Sequence, residues 1–144
     1  MNKKKPRRKD NPTKTKKPSS LPVESTQNKK LVWIVSNIDD NSSWGWHTIS
    51  CPDFLRKIWK KMRNFETMRW VDILGASHHV IPISNIISPA QKRLEELGYD
   101  DKETLVSFHI TGRERIWAIR SEEKAFLLWG DPNHEICPSR KKRT

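Results

Sequence analysis

Apolar residues are almost absent from the first 30 positions of the chain and become periodic after them. Residues 30–37, KLVWIVSN, predict a strand, and the turn-forming NIDDNSS separates it from a second extended segment, WGWHTIS, with which it could form a hairpin. From residue 52 the period changes to three and four residues, which predicts an amphipathic helix with Ser50 as its cap and Asp53 in its first turn. Its apolar positions are Phe54, Leu55, Ile58, Trp59, Met62 and Phe65.

The remaining positions of this helix hold five cations, Arg56, Lys57, Lys60, Lys61 and Arg63. They predict a solvated helix face, with an RNA-facing stripe as the alternative. The segment MRWVDIL (68–74) fits a helix or a strand, whereas HHVIPIS (78–84) is typical of extended chain because a proline disfavours a helix interior. A second helix is predicted over about 88–97, with Ser88 as its cap, Gln91 completing a capping box and Gly98 ending it.

Three strand-like runs fill the C-terminal third: TLVSFHI (104–110), RIWAIR (115–120) and AFLLWG (125–130). The linkers TGRE and SEEK are short enough to join antiparallel neighbours, so we predict a three-stranded meander with Gly112 at a positive φ in the first turn. Two-residue loops then pair Ile110 with Arg115, Phe108 with Trp117, Ile119 with Phe126, Trp117 with Leu128, and Arg115 with Gly130. The predicted fold is α+β, a small antiparallel sheet (this meander plus an N-terminal strand or hairpin) packed against two helices.

The formal charge of +11 is carried by the ends of the chain. Residues 1–30 hold eleven Lys or Arg and residues 140–143 hold four, which leaves thirteen basic against fifteen acidic residues between them. All seven tryptophans lie in that central part. We therefore predict a disordered basic arm over 1–30, one domain over 31–139 and a basic tail over 140–144. No apolar stretch predicts a membrane span or a secretory signal, so we expect a cytoplasmic protein with free thiols.

Titratable residues concentrate where the last strand ends, in WGDPNHEICP (129–138). Histidine titrates near neutrality and arginine suits phosphate, so His134 could act as acid or base beside Arg115 as a phosphate clamp. Arg113 could add a phosphate contact, and Glu114 or His109 could supply a second base. Ordinary alternatives are a turn role for His134, ion pairing of Arg115 with Asp131, and a structural role for His109.

The meander resembles the RelE/ParE superfamily of small bacterial toxins, in particular its HigB-like and YoeB-like mRNA-cleaving branches. The resemblance covers about residues 104–136 and rests on GRERIWAI, where a basic residue opens the middle strand, and on AFLLWGDPNHE, where the closing strand leads into a histidine. It implies a RelE-like fold, with Arg115 and His134 acting on the scissile phosphate of mRNA. It also implies cleavage on the ribosome, no metal or other cofactor, and neutralisation by a cognate antitoxin.

The alternative is a non-catalytic protein that binds nucleic acid or a partner through its basic ends, which would attract phosphate backbones without regard to sequence. The candidate contacts are Lys3, Lys4, Lys5, Arg7, Arg8, Lys9, Lys14, Lys16, Lys17, Arg140, Lys141, Lys142 and Arg143. A weaker alternative is a tetrahedral zinc site made by His47, Cys51, His134 and Cys137. His78 and His79 are adjacent on extended chain, so they should point to opposite faces.

Overall fold

The computed structural model describes residues 26–49, 52–76 and 78–138. The predicted cap Ser50, Cys51 and the basic side chains of residues 3–17 and 140–143 lie outside the described residues. The strands are β1 (Val32–Ile34), β2 (His79–Pro82), β3 (Thr104–Thr111), β4 (Glu114–Ser121) and β5 (Lys124–Asp131). The helices are α1 (Pro52–Phe65), α2 (Trp70–Leu74) and α3 (Ser88–Glu96), and short 3₁₀ turns occupy Trp46–Thr48 and Ile83–Asn85. The fold is therefore α+β, as the sequence predicts.

The sheet is larger than the predicted meander and is mixed. Its order is β1-β5-β4-β3-β2, with β1 parallel to β5 and every other pair antiparallel. The N-terminal hairpin prediction is wrong, because residues 46–48 form a 3₁₀ turn and β1 pairs with β5. After β1 the chain follows β5 through single backbone hydrogen bonds, in which Asp39 donates to Leu128 and Trp44 accepts from Gly130. Residues 44–49 therefore form no second strand.

Each face of the sheet is covered by its own apolar layer. One face packs against α1 and α2, and its largest buried side chains are Phe54, Ile58, Phe65, Trp70, Ile73 and Phe108. The other packs against α3 and the segment after β5, and it buries Leu94, Leu105, Trp117, Leu128, Trp129 and Ile136. The middle strand β4 is therefore buried on both faces, which explains why its sequence shows no polar alternation.

The helices differ from the sequence interpretation at particular positions. In α1, Phe54, Ile58, Met62 and Phe65 are buried as predicted, but Trp59 lies outside that stripe and is 51% exposed. The α3 cap prediction is also wrong, since Ile87 occupies the cap position with Ser88 already helical. Because Gln91 donates to the carbonyl of Ile86, it closes no capping box.

A third helix, α2, resolves the ambiguous segment 68–74. The predicted end of α3 is confirmed: Gly98 has φ 88°, its amide donates to Glu95, and Tyr99 donates to Leu94. Among the described residues, no helix combines the length and the apolar character that crossing a bilayer requires.

Candidate functional site

Two β-bulges place charged residues of three strands in one row. The turn pairs Thr111 with Glu114 and Ser121 with Lys124 show the predicted two-residue loops, and Ile119 pairs with Phe126 as predicted. Ile110 is an extra residue in β3 and Leu128 an extra residue in β5, so every pair beyond each bulge shifts by one.

The predicted pairings of Arg115 with Ile110 and Gly130, and of Trp117 with Phe108 and Leu128, are therefore wrong. Arg115 instead lies between His109 and Asp131. Because directly opposite residues share a face of the sheet, all three side chains are on one face. The sequence pattern of strands and turns does not reveal a single inserted residue. The alignment of His109, Arg115 and Asp131 across the three strands could therefore not be predicted from the sequence.

A cleft of about 570 Å³ opens on this face. Its lining includes His79 from the edge strand β2, Ser107 from β3, Arg115 and Trp117 from β4, and His134 from the segment after β5. Ile81, Asn85, Cys137 and Pro138 complete it. The structure thus brings together Arg115 and His134, the two residues that the family resemblance singled out. It adds His79, to which the sequence interpretation gave no role.

Arg115 is held by only one of its terminal nitrogens. Its Nη1 atom donates to the carbonyl of Gly112 at 2.7 Å and to that of Glu114 at 3.1 Å. Its Nε and Nη2 atoms make no hydrogen bond to any residue that the structure describes. Burial lowers the pKa of Arg115 while the charge of Asp131 raises it, and a guanidinium stays protonated in either case. The Nε–Nη2 edge, which has the geometry for bidentate oxyanion binding, is therefore uncommitted.

Asp131 is fully buried and shapes the turn that carries His134. Its carboxylate accepts hydrogen bonds from the Trp117 indole at 3.2 Å and from the amides of Glu135 at 2.9 Å and Ile136 at 3.1 Å. These contacts occupy both oxygens, and no ion pair joins Asp131 to Arg115 within the described ranges. The alternative that Arg115 merely pairs with Asp131 therefore loses its support.

His134 has a positive φ of 58°, a backbone conformation that costs a non-glycine residue on the order of 1 kcal/mol. Residues with such strained backbones are found most often at functional sites. Burial lowers the pKa of His134, the charge of Arg115 lowers it further, and Asp131 opposes the shift. His134 is therefore a neutral imidazole at pH 7. A neutral ring can accept a proton from a substrate.

His79 and His78 point to opposite faces of β2, as predicted. His78 is buried against Phe65, and its Nδ1 atom accepts the His109 amide at 3.0 Å. His79 is exposed and reaches the cleft. It pairs with Ser107, which pairs with Trp117, so strand spacings of about 4.8 Å and a rise of about 3.4 Å per residue put its Cα about 12 Å from that of Arg115. A phosphodiester fits between the two side chains. Strand alternation was the signal that could have identified His79.

The remaining candidates lie around the cleft. His109 shares the row with Arg115, but its ring contacts the carbonyl of Gly112 at 3.2 Å and does not line the cleft. Burial and the charge of Arg115 lower the pKa of His109. Glu114 belongs to the other face, where it accepts from Thr111 and from Lys57 at 3.4 Å. Arg113 is exposed in the β3–β4 turn and is close enough to influence His134.

The proposed zinc ligands do not converge. His47 lines a different surface depression, beside Ser43 and Trp44, whereas His134 and Cys137 line the cleft. Over residues 26–49, 52–76 and 78–138, no three His, Cys, Asp or Glu side chains form a group that could hold a metal ion. Cys137 is a free thiol whose pKa is raised by burial, so it is protonated and a poor nucleophile.

The cleft thus contains the Nε–Nη2 edge of Arg115, with His134 on the β5 side of it and His79 on the β2 side. Such a set can bind a phosphodiester and move protons on either side of it. Comparison of the chain with family models, with curated proteins and with solved structures found no match.

Proposed function

We propose that this protein is a metal-independent endoribonuclease whose cleft holds the scissile phosphate on Arg115. The observation that carries the proposal is the state of that side chain: Nη1 is anchored to the β3–β4 turn, while the Nε–Nη2 edge makes no hydrogen bond to a described residue and shares the cleft with two histidines. A fixed cation in a partly buried site stabilises charge that develops on a phosphorane-like transition state. RNA is the substrate because its 2′-hydroxyl provides the nucleophile that DNA lacks.

The two histidines have separate roles in the proposed reaction. His134, neutral at pH 7, accepts the proton of the 2′-hydroxyl as the 2′-oxygen forms its bond to phosphorus. The bond from phosphorus to the 5′-oxygen breaks as His79 donates a proton to that oxygen. The products are a 2′,3′-cyclic phosphate and a free 5′-hydroxyl. Proton exchange with water restores both rings, so the cycle balances without a metal.

The biological setting is proposed from the resemblance to RelE/ParE toxins. The two residues that carry the resemblance, Arg115 and His134, line the same cleft. We propose a toxin of a toxin–antitoxin system that acts in the cytoplasm, with mRNA as substrate, the ribosome as the place of cleavage and an antitoxin as its natural inhibitor.

The leaving group distinguishes the two histidines. An aryl ester of a nucleoside 3′-phosphate releases a phenolate that needs no proton, so it makes a general acid unnecessary. His79→Ala should cleave a dinucleotide at least about 100-fold more slowly than wild type and the aryl ester within about threefold of wild type. His134→Ala should be slow on both substrates. Equal losses for His79→Ala on the two substrates would refute its role as the acid.

Growth arrest on induction in bacteria tests the toxin assignment. The wild type should arrest growth, and His134→Ala and Arg115→Ala should not. His47→Ala is the matched control, because that histidine lines a different depression, and it should be as toxic as wild type. If all four proteins are harmless, the toxin assignment fails, and if all four are toxic, the cleft is not the cause.

Metal removal provides a separate check. Cleavage of RNA should be unchanged when EDTA is added, because no step of the proposed reaction uses a metal. Loss of cleavage with EDTA and its recovery with zinc would refute the metal-independent mechanism.

A further inference from the structure

A second basic feature, the α1 groove, lies on the side of the sheet that α1 and α2 cover. It has a volume of about 680 Å³ and is lined by Lys57, Lys60, Lys61, Arg63, Asn64 and Thr67, all from α1 or the turn after it. Thr111, the last residue of β3, closes one side. Lys57 pairs with Glu114 at 3.4 Å, but no carboxylate in the described part of the chain pairs with Lys60, Lys61 or Arg63.

This arrangement does not serve the stability of α1. Residues 57, 60 and 61 are helix neighbours at spacings of three and four, and like charges at those spacings cost roughly 0.2–0.5 kcal/mol per pair. The buried stripe of Phe54, Ile58, Met62 and Phe65 already fixes the helix on the sheet. These cations repel one another, and only Lys57 has a carboxylate partner among the described residues, so an anionic ligand would stabilise the set.

The groove and the cleft meet at the β3–β4 turn. Thr111 lines the groove and Arg115 lines the cleft, and only the turn at Gly112 and Arg113 and the following Glu114 separate them along the chain. The exposed Arg113 lies in this turn, and Lys61 is among the cations whose charge lowers the pKa of His109, the neighbour of Arg115. A polyanion bound in the cleft can therefore continue over the turn into the groove.

Trp59 favours a single-stranded nucleic acid over a protein as the ligand. It stacks on Trp46 with ring centroids 5.9 Å apart and an interplanar angle of 19°, yet it remains 51% exposed. Arg56 and Arg63 lie one helical turn away on either side of it. Single-strand binders combine such an exposed ring with a basic track along the backbone. A protein interface has a core of apolar side chains, whereas every residue that lines the groove is charged or polar and only the stems of these side chains are apolar.

We infer that the α1 groove binds the phosphate backbone of single-stranded RNA next to the cleavage site, with Trp59 as a stacking surface for a base. This inference rests on the proposed RNA-cleaving function, which it deepens by assigning a subsite for the flanking strand. The groove supplies affinity for long RNA, and the cleft alone handles the scissile dinucleotide.

The test uses the full chain and 2′-O-methyl RNA, which lacks the nucleophile and is not cleaved. The groove variant combines Lys60→Glu, Lys61→Glu and Arg63→Glu. The matched control combines Lys92→Glu, Lys102→Glu and Lys124→Glu, an equal charge change at exposed positions outside the groove and the cleft. Three lost phosphate contacts should reduce the slope of log Kd against log salt by about 2. The control should change the slope by less than half as much, and equal changes would overturn the inference.

Cleavage kinetics separate the groove from the cleft. The groove variant should raise KM for a long RNA about tenfold or more and leave kcat/KM for a dinucleotide within about twofold of wild type. Equal losses on both substrates would mean that the groove acts through the fold. If wild type cleaves neither substrate, the proposed catalysis is wrong. The comparison of binding to 2′-O-methyl RNA would then still show whether the groove binds RNA. Groove-dependent binding of poly-glutamate without such binding of RNA would identify a protein-docking surface and overturn the inference.

Discussion

The turn that carries His134 depends on one buried carboxylate, and its removal gives a quantitative test of the site. Asp131→Ala deletes three hydrogen bonds, from the Trp117 indole and from the amides of Glu135 and Ile136. Trp117 and Ile136 are fully buried, so their donors would be left without an acceptor. Glu135 is exposed, and its amide can turn to water.

The expected cost follows from these two orphaned donors. Each buried unsatisfied group costs about 1–3 kcal/mol, so the free energy of unfolding should fall by about 4 kcal/mol. Because natural domains have about 5–15 kcal/mol of stability, the variant should still fold, with a Tm lower by about 15 °C. Misplacing a catalytic group by about 1 Å can cost on the order of 100-fold, so kcat/KM for RNA should fall by about that factor at temperatures where the variant is folded.

Urea unfolding followed by tryptophan fluorescence measures the stability change. Asp101→Ala is the control, since Asp101 is exposed and makes no ion pair or hydrogen bond to the described part of the chain, and it should stay within about 0.5 kcal/mol of wild type. A loss below about 1 kcal/mol for Asp131→Ala would refute the structural role assigned to this carboxylate. If the folded variant cleaved RNA at the wild-type rate, Asp131 would not be needed to position His134.

Three further predictions concern pH. Because burial and the nearby arginines lower the pKa of His134, kcat/KM for RNA cleavage should rise with pH through a midpoint below 6.5, and Arg113→Gln should move this midpoint upward. Burial lowers the pKa of His78 to about 4, so the unfolded state takes up a proton before the native state does. The free energy of unfolding should therefore fall by about 3 kcal/mol between pH 6.5 and pH 4, and urea titrations of His78→Gln should lack that decrease. Burial alone would raise the pKa of Asp39, but hydrogen bonds, that from Arg93 foremost, lower it well below 3.8. Its stabilisation is thus present above about pH 4 and decreases below it, so Asp39→Asn should cost about 2 kcal/mol at pH 7 and progressively less in acid, as urea unfolding at each pH would show.

The meander was predictable from sequence because its signals are local. Short linkers between three strand-like runs favour two-residue loops, and both turns have the expected pairs. The parallel contact of β1 with β5 joins segments about 90 residues apart, and no local pattern reports it. The run predicted at 44–50 has strand-like composition, but in its described part, residues 44–49, the packing of Trp44 on Trp129 and the bond from Gly130 to Trp44 favour a different conformation.

The candidate site was predictable only in part. Arg115 and His134 stand at the ends of recognisable strands, so their order along the chain suggested their proximity. His79 comes from β2, which is joined to β3 by a helix, and its place in the cleft depends on sheet order. Glu114 was a reasonable base on composition, yet the alternation of β4 directs it to the opposite face, where Lys57 meets it.

The extra residues Ile110 and Leu128 also affect how related sequences should be aligned. A homologue with one residue fewer in β3 could retain every letter of the arginine and histidine motifs while its arginine stood opposite a different residue of β3. An ungapped alignment would count that homologue as equivalent. The extra residue at position 110 is therefore a better marker of a competent site than the motif letters, and a search for relatives should allow a one-residue gap there.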